Sequence, residues 1–154
     1  MGDESHRNLL KHSKVFDALS DEQLDRVVAL GQVESFPEGA VIVEEDKAGK
    51  SCYFLIQGRV DIEIRSPFGG SDKVQKIATI KRGEMFGELS LVDGFLRSAS
   101  ARAAEAVELL AFENEQLEAL MEDDPRIGYQ IMRNVANVLS SRIRTTNMEL
   151  RNTL

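Results

Sequence analysis

A series of short segments rich in β-forming residues constrains the fold of this chain most strongly. The segments are 40–43, 52–56, 60–65, 74–80, 98–104 and 107–112. In the third of them Val60, Ile62 and Ile64 alternate with charged residues, which is typical of a strand with one buried face. Turn-forming sequence separates the segments, for example at Gly58 and over 66–71. Short strands at this spacing predict a closed or two-sheet antiparallel structure.

Helical patterns precede these segments. Ser20 and Gln23 have the spacing of a capping box, which predicts a helix that begins at Asp21 and stops near Gly31. An earlier helix is predicted over 7–19, and the residues up to about His6 are expected to fray.

Helical patterns also follow the strand segments. Asn114 is predicted to cap a short helix through Leu120, and Pro125 is predicted to begin a long helix that reaches about Asn152. The long helix carries one apolar stripe with nearly heptad spacing: Ile131, Val135, Leu139, Ile143 and Leu150. Two interpretations of the stripe remain open, namely packing on its own domain and pairing with a second copy of the helix.

Helices, then strands, then helices predict an α+β fold. At 154 residues the chain is expected to form a single domain, 1–154. Its expected parts are N-terminal helices over 1–32, strands over 33–113 and C-terminal helices over 114–154.

Composition argues against several classes of protein. The net charge of −7 disfavours a nucleic-acid-binding chain, and the apolar runs are too short to span a membrane. The single cysteine, Cys52, is expected to be a buried thiol, which is compatible with a reducing cytoplasm. Charged residues are all acidic over 105–124 and almost all basic from Arg126 onward, so the last helix is either a solvated surface or a contact surface for a partner or another domain.

The chain lacks recognisable catalytic or metal-binding sets in its strand region. Its two histidines, His6 and His12, both precede the strands, so neither a metal-dependent barrel enzyme nor a histidine-assisted nucleophile is expected. We therefore predict no catalytic residues, no metal and no enzymatic cofactor.

The segment 86–99 combines the features of a small-ligand site. Gly87 permits a close backbone approach, and the first turn of a helix after Glu88 would direct N–H groups at an anion. Arg97 can bind a phosphate with two hydrogen bonds, and an ionised Glu88 can accept a hydrogen bond from a hydroxyl group. The alternative is that Glu88 and Arg97 form a surface ion pair of little energetic value.

The run FGELSLVDGFLRSASARA at 86–103 closely resembles the phosphate-binding cassette of cyclic nucleotide-binding domains. FDALS at 16–20, FPEGAVI at 36–42 and YFLIQGRV at 53–60 resemble further parts of the same family. The resemblance implies an antiparallel β-roll (a double-stranded β-helix, jelly-roll-like) of about eight strands, flanked by N-terminal helices and a long C-terminal helix.

The resemblance also assigns roles to residues. Glu88 would bind the ribose 2′-hydroxyl, Arg97 the cyclic phosphate, and Ser98 would add a hydroxyl nearby. The full implied ligand-binding set is Gly87, Glu88, Leu89, Ser90, Arg97, Ser98 and Ala99. By their position in the last helix Thr145, Thr146 and Asn147 are the candidates for contacts with the base.

The function implied by the resemblance is that of a cytoplasmic sensor whose ligand, cyclic AMP with cyclic GMP as the alternative, moves the C-terminal helix. A homodimer through that helix is expected, and the effector is unknown. One alternative is a β-roll that serves only interaction or dimerisation and no longer binds nucleotide. The other is the ligand-sensing fragment of a larger transcription regulator, kinase or channel.

Overall fold

A computed structural model describes residues 2–45, 47–65, 73–93 and 99–154. Two helices come first, α1 (Gly2–Leu10) and α2 (Asp21–Val28). The strands and one short helix follow in the order β1 (Gln32–Phe36), β2 (Val41–Val43), β3 (Ser51–Gln57), β4 (Val60–Arg65), β5 (Val74–Ile80), β6 (Met85–Phe86), α3 (Leu89–Asp93), β7 (Ser100–Ala103) and β8 (Val107–Glu113). The chain ends with α4 (Asn114–Asp123) and α5 (Pro125–Thr153).

The strands form two four-stranded antiparallel sheets. Their strand orders are β1-β8-β3-β6 and β2-β7-β4-β5. The α+β class and the eight-stranded antiparallel architecture expected from the sequence are therefore confirmed. Two strands have no clear sequence signal: β1 exposes most of its residues and β6 is only two residues long.

The alternation of side chains along β3 and β8 divides the core into two clusters. Phe54 and Phe112 face the helices, where they pack with apolar residues of α2, α4 and α5. Leu55 and Leu109 face the other way, into the cluster that lies between the two sheets. Because successive strand residues point to opposite faces, β3 and β8 are buried on both sides and hold the helices against the roll.

The N-terminal segment differs from its prediction. The first helix begins at Gly2 and ends at Leu10, so the predicted helix over 7–19 and the fraying up to His6 are wrong. Val15 and Phe16 lie in turns, but both are buried in the core, which explains their helix-like apolar spacing. The capping box of Ser20 and Gln23 is present as predicted.

A buried asparagine of α5 holds these N-terminal turns. The Asn134 Nδ2 atom donates hydrogen bonds to the carbonyl oxygens of Val15 (2.9 Å) and Asp17 (2.7 Å). The Gln130 amide donates to Asn134 Oδ1 (2.9 Å) and so fixes the orientation of the asparagine. Ala18, just after these carbonyls, has a φ of 67°, a conformation that costs a non-glycine residue about 1 kcal/mol. The long helix therefore supplies hydrogen bonds that a continuous helix would have made internally.

A second polar link joins α2 to the junction of α4 and α5. Arg26 contacts Asp123 at 2.8 Å and Asp124 at 3.1 Å. Asp124 is also the N-cap of α5, where its carboxylate accepts from the backbone N–H of Arg126, and Pro125 occupies the first turn as predicted. The N-terminal helices and the base of α5 thus form one connected helical unit.

The single stripe predicted for α5 lies on two different faces. Ile131 and Val135 are buried against the domain, whereas Ile143 and Leu150 are about 60% exposed. Each four-residue step advances the side chain by about 40° around a helix, so the stripe turns away from the domain after Leu139. Over its second half α5 consequently presents an uncovered apolar face.

We expect the Asn134→Ala variant to lower the free energy of unfolding by about 2–4 kcal/mol, because two backbone carbonyls lose their donor in a buried site. Chemical denaturation measures this change. Asn137→Ala is the matched control, since Asn137 is exposed on the same helix and the change brings the same gain in helix propensity. Equal effects of the two substitutions would contradict the structural role of Asn134.

Candidate functional site

The candidate site begins at the turn that joins β6 to α3. Phe86 anchors this turn, because its ring stacks on Tyr53 of β3 with centroids 5.2 Å apart. Gly87 follows with a φ of 77°, a conformation that L side chains rarely adopt. The backbone N–H groups of Ser90 and Leu91 then donate to the carbonyls of Gly87 and Glu88. The helical turn predicted after Glu88 is therefore confirmed.

Glu88 is a buried carboxylate, not a surface group. Only 4% of its side chain is exposed. Its Oε1 atom lies 2.8 Å from the Arg142 Nη2 atom, which reaches it from the middle of α5. An unpaired carboxylate in such a place would carry a large desolvation penalty, so the arginine stabilises the buried charge.

The Glu88–Arg142 ion pair is asymmetric. The arginine side chain remains 53% exposed, while the carboxylate is almost completely enclosed. If the ion pair opened, Arg142 would be solvated, whereas Glu88 would remain enclosed without a partner. A ligand that donates a hydrogen bond to Glu88 can therefore replace part of the stabilisation that Arg142 gives to the carboxylate.

Ser90 is the second buried polar residue of the turn. Its hydroxyl donates to the Gly87 carbonyl at 2.8 Å and lies 3.3 Å from the Ser51 carbonyl. It also accepts a hydrogen bond from Asn114 Nδ2 at 3.0 Å. The predicted capping role of Asn114 is therefore wrong: this residue is the first of α4, Glu113 holds the N-cap position, and no side chain caps the helix there.

Two residues of the expected set, Arg97 and Ser98, lie outside the described residues, and their roles stay predictions. Ala99 is half-buried directly before β7. The backbone of Leu89 begins α3. The structure therefore brings Gly87, Glu88 and Ser90 together in one turn, and their use by a ligand stays a prediction.

The three candidates for base contacts lie on the exposed second half of α5, about one turn beyond Arg142. Thr145 and Thr146 are three and four residues from Arg142, so they share the face that points to Glu88. Asn147 lies about 140° away from Arg142 around the helix, on the same side as Ile143. The helix geometry thus separates the two threonines from Asn147.

Arg142 is the site residue that the sequence did not reveal. It continues the buried face of α5 at the helical spacing of Ile127, Ile131 and Val135. A basic residue on an otherwise apolar face predicts an acidic partner in the domain, and this signal was available. The identity of the partner was not, because Glu88 and Arg142 are far apart in the sequence.

Other chemistry is not evident in the described parts of the chain. Within 2–45, 47–65, 73–93 and 99–154 no group of three or more His, Cys, Asp or Glu side chains is arranged to hold a metal. No helix among these residues is long and apolar enough to cross a membrane. An open cavity of about 360 Å³ is lined by Phe36, Gln57 and Glu108 among others, at the end of β3 opposite to Ser51. It therefore does not coincide with the Gly87–Ser90 turn.

Comparison with known proteins identifies the family. The family model described as the cyclic nucleotide-binding domain matches residues 33–124, more than half of the chain. The chain belongs to the cyclic nucleotide-binding domain family. The predicted resemblance is confirmed.

Individual relatives agree with this assignment. The chain is 34% identical over 141 residues to the cyclic AMP receptor protein of Thermus thermophilus, with 92% of this chain and 62% of the relative covered. It is 31% identical over 103 residues to human cGMP-dependent protein kinase 2, with 67% of this chain and 13% of the kinase covered. The chain thus spans less than two thirds of these relatives.

A solved structure matches over nearly its whole length. The N-terminal domain of a transcriptional regulator from Streptomyces coelicolor A3(2) aligns with a TM-score of 0.77 at 29% identity. The alignment covers 92% of this chain and 94% of that one. The β-roll with its flanking helices is therefore the family's fold.

We expect Arg142→Gln to lower the free energy of unfolding by about 1–3 kcal/mol, since it leaves the enclosed Glu88 carboxylate without its cation. Combining it with Glu88→Gln should recover part of this loss, and a double-mutant cycle of urea unfolding measures the coupling. Arg144→Gln is the matched control, because Arg144 is exposed two positions further along α5. Additive effects at Glu88 and Arg142 would contradict a direct interaction.

Proposed function

We propose that this chain is a regulatory domain that binds cyclic AMP and couples its occupancy to the position of α5. One observation carries the proposal: Glu88, to which the resemblance assigns the ribose hydroxyl, is a buried carboxylate on the Gly87 turn, and α5 holds it through Arg142. Any ligand that contacts Glu88 must therefore act on an ion pair that includes the long helix.

The chemistry of Glu88 fits a sugar hydroxyl. An ionised carboxylate only accepts hydrogen bonds, so its ligand partner is a donor and not a phosphate oxygen. The phosphate is assigned to Arg97, whose guanidinium presents two parallel N–H groups. This division of contacts requires a ligand in which a hydroxyl group and a phosphate are held close together, as in a cyclic nucleotide.

Coupling to α5 follows from differential contacts. A ligand shifts an equilibrium only if it interacts differently with the two states. Binding at Glu88 changes the Arg142 contact, and Thr145 and Thr146 lie on the same face of α5 one turn further on. Nucleotide would therefore favour one position of the helix over another.

Cyclic AMP is preferred over cyclic GMP on the strength of the names of two relatives. The relative from Thermus thermophilus, matched over 92% of this chain, is named for cyclic AMP, and the kinase, matched over 67%, is named for cyclic GMP. The threonine hydroxyls of α5 can both donate and accept hydrogen bonds, so they are compatible with either base.

We propose a homodimer through the uncovered apolar face of α5, with a cytoplasmic location. Ile143 and Leu150 are seven residues apart, which is the heptad spacing of a two-helix contact. The alternative, a β-roll used only for dimerisation, would have no need of a buried carboxylate on a glycine turn. The chain covers only part of its relatives, which is compatible with a domain that controls another domain of a longer protein. The identity of the effector, and not this site, decides that alternative.

We expect the chain to bind cyclic AMP at least about tenfold more tightly than 2′-deoxy-cyclic AMP, because a hydrogen bond to a charged group contributes about 1.5–3 kcal/mol. In Glu88→Gln this ratio should fall to about fivefold or less, because a hydrogen bond between neutral groups contributes about 1 kcal/mol. Isothermal titration calorimetry measures both affinities. Glu84→Gln is the matched control, since Glu84 is exposed and its carboxylate accepts a hydrogen bond from the backbone N–H of Lys81.

Further ligands and one further variant complete this titration. 5′-AMP should not compete with cyclic AMP. A titration with cyclic GMP compares the affinity for the guanine base with that for adenine. Arg97→Ala should remove most of the affinity, whereas Arg59→Ala, an exposed arginine at the β3–β4 turn, should not. No heat of binding with either cyclic nucleotide would overturn the proposed function. An unchanged 2′-deoxy ratio in Glu88→Gln would overturn only the role of that residue.

We expect the Ile143→Glu/Leu150→Glu variant to sediment as a monomer at concentrations where the parent chain is a dimer, because two carboxylates per chain would meet at the apolar contact. Ser141→Glu/Asn152→Glu adds the same charge to the opposite side of α5 and should remain dimeric. Sedimentation velocity separates the two species. A monomeric parent chain, or equal behaviour of both double variants, would refute this interface.

A further inference from the structure

Asn114 occupies an unusual position at the start of α4. It directly follows β8, is buried, and its backbone N–H donates to the Lys50 carbonyl at 2.9 Å. The first turn of α4 is thereby fixed to the chain that enters β3. An asparagine at a helix start normally uses its side chain to cap backbone N–H groups.

The side chain of Asn114 is directed at the candidate site instead. Its Nδ2 atom donates to Ser90 Oγ at 3.0 Å, and the Ser90 hydroxyl donates to the Gly87 carbonyl at 2.8 Å. A continuous chain of hydrogen bonds therefore runs from α4 to Gly87 of the Gly87–Ser90 turn. Hydrogen bonds weaken steeply when their geometry changes, so this chain constrains direction as well as distance.

The arrangement carries an energetic cost. The Oδ1 atom of Asn114 is buried and has no hydrogen-bond partner within the part of the chain that the structure describes. A buried acceptor without a partner destabilises a fold, and a leucine of similar volume would remove both the cost and the link. The asparagine therefore serves the connection to Ser90 at some expense of stability.

Apolar packing alone would connect the same elements less specifically. Leu91 of α3 lies in one cluster with Leu117 and Leu120 of α4. Such contacts are non-directional and tolerate small sliding movements. The polar chain is what fixes the register between the turn and the first residue of α4.

We infer that Asn114 is a positioning residue, which makes the Gly87–Ser90 turn and the start of α4 move as one unit when nucleotide binds. The inference rests on the proposed function and deepens it. The turn then acts on the C-terminal helices at two points, on α5 through Glu88 and Arg142 and on α4 through Ser90 and Asn114.

The test compares amide hydrogen exchange in the full chain with and without saturating cyclic AMP. In the parent chain we expect nucleotide to change exchange over 114–124 by about fivefold or more, the lower end of typical coupling between sites. In Asn114→Leu this change should fall below about twofold, while the change over 136–146 of α5 persists. Cyclic AMP affinity, measured by calorimetry, separates lost coupling from lost binding.

Two further variants keep the test decisive. Ser90→Ala removes the other end of the link and should give the same loss over 114–124, and the double variant should add nothing. Gln116→Leu is the matched control, because it places the same apolar side chain at an exposed position of α4. This control should respond like the parent chain.

The outcomes distinguish the two levels of the argument. An unchanged response over 114–124 in Asn114→Leu, with parent-like affinity, would overturn this inference alone. Absence of any nucleotide response in the parent chain would overturn the proposed function and this inference with it. Loss of the response in Gln116→Leu would also overturn it, since the effect would then not depend on the hydrogen-bond chain.

Discussion

The burial of one carboxylate governs the organisation of this domain. Glu88 is enclosed where the roll meets the helices, and its charge is stabilised by an arginine that belongs to α5. Separating the pair would leave the buried charge of Glu88 without a partner. The stability of the roll therefore depends on the placement of the helix. The Glu88–Arg142 ion pair, and not apolar packing alone, therefore connects the site to the long helix.

The helices are not independent attachments to the roll. Asn134 holds the N-terminal turns, Arg26 holds the α4–α5 junction, and Asn114 holds the first turn of α4. Each link is polar and directional, and each joins segments far apart in the sequence. A displacement of the Gly87–Ser90 turn would therefore act on a connected helical unit, and in such a unit a small local change can become a discrete rearrangement.

The sequence revealed the fold where local pattern and tertiary burial agree, and failed where they differ. In strand β4 the apolar residues alternate with charged ones, and Val60 and Ile62 pack into the cluster between the sheets, whereas β1 exposes nearly all its residues and has no such signal. The apolar spacing of Val15 and Phe16 indicated a helix, but the hydrogen bonds come from Asn134 instead. Gly87 and Glu88 were recognisable from local chemistry. Arg142 was not, since its partner is defined only by the folded chain.

The length of α5 gives the domain a mechanical property. Its 29 residues correspond to about 43 Å, and its buried residues all lie in the first half. From Asn134, near the fixed base, to Thr153 the helix extends about 28 Å. A tilt of about 10° at that base would therefore displace the far end by roughly 5 Å, close to one helical turn. Under the proposed coupling, the second half of α5 would convert an ångström-scale adjustment beside Glu88 into a displacement of about 5 Å at its far end, and so shift the partner helix of the proposed dimer.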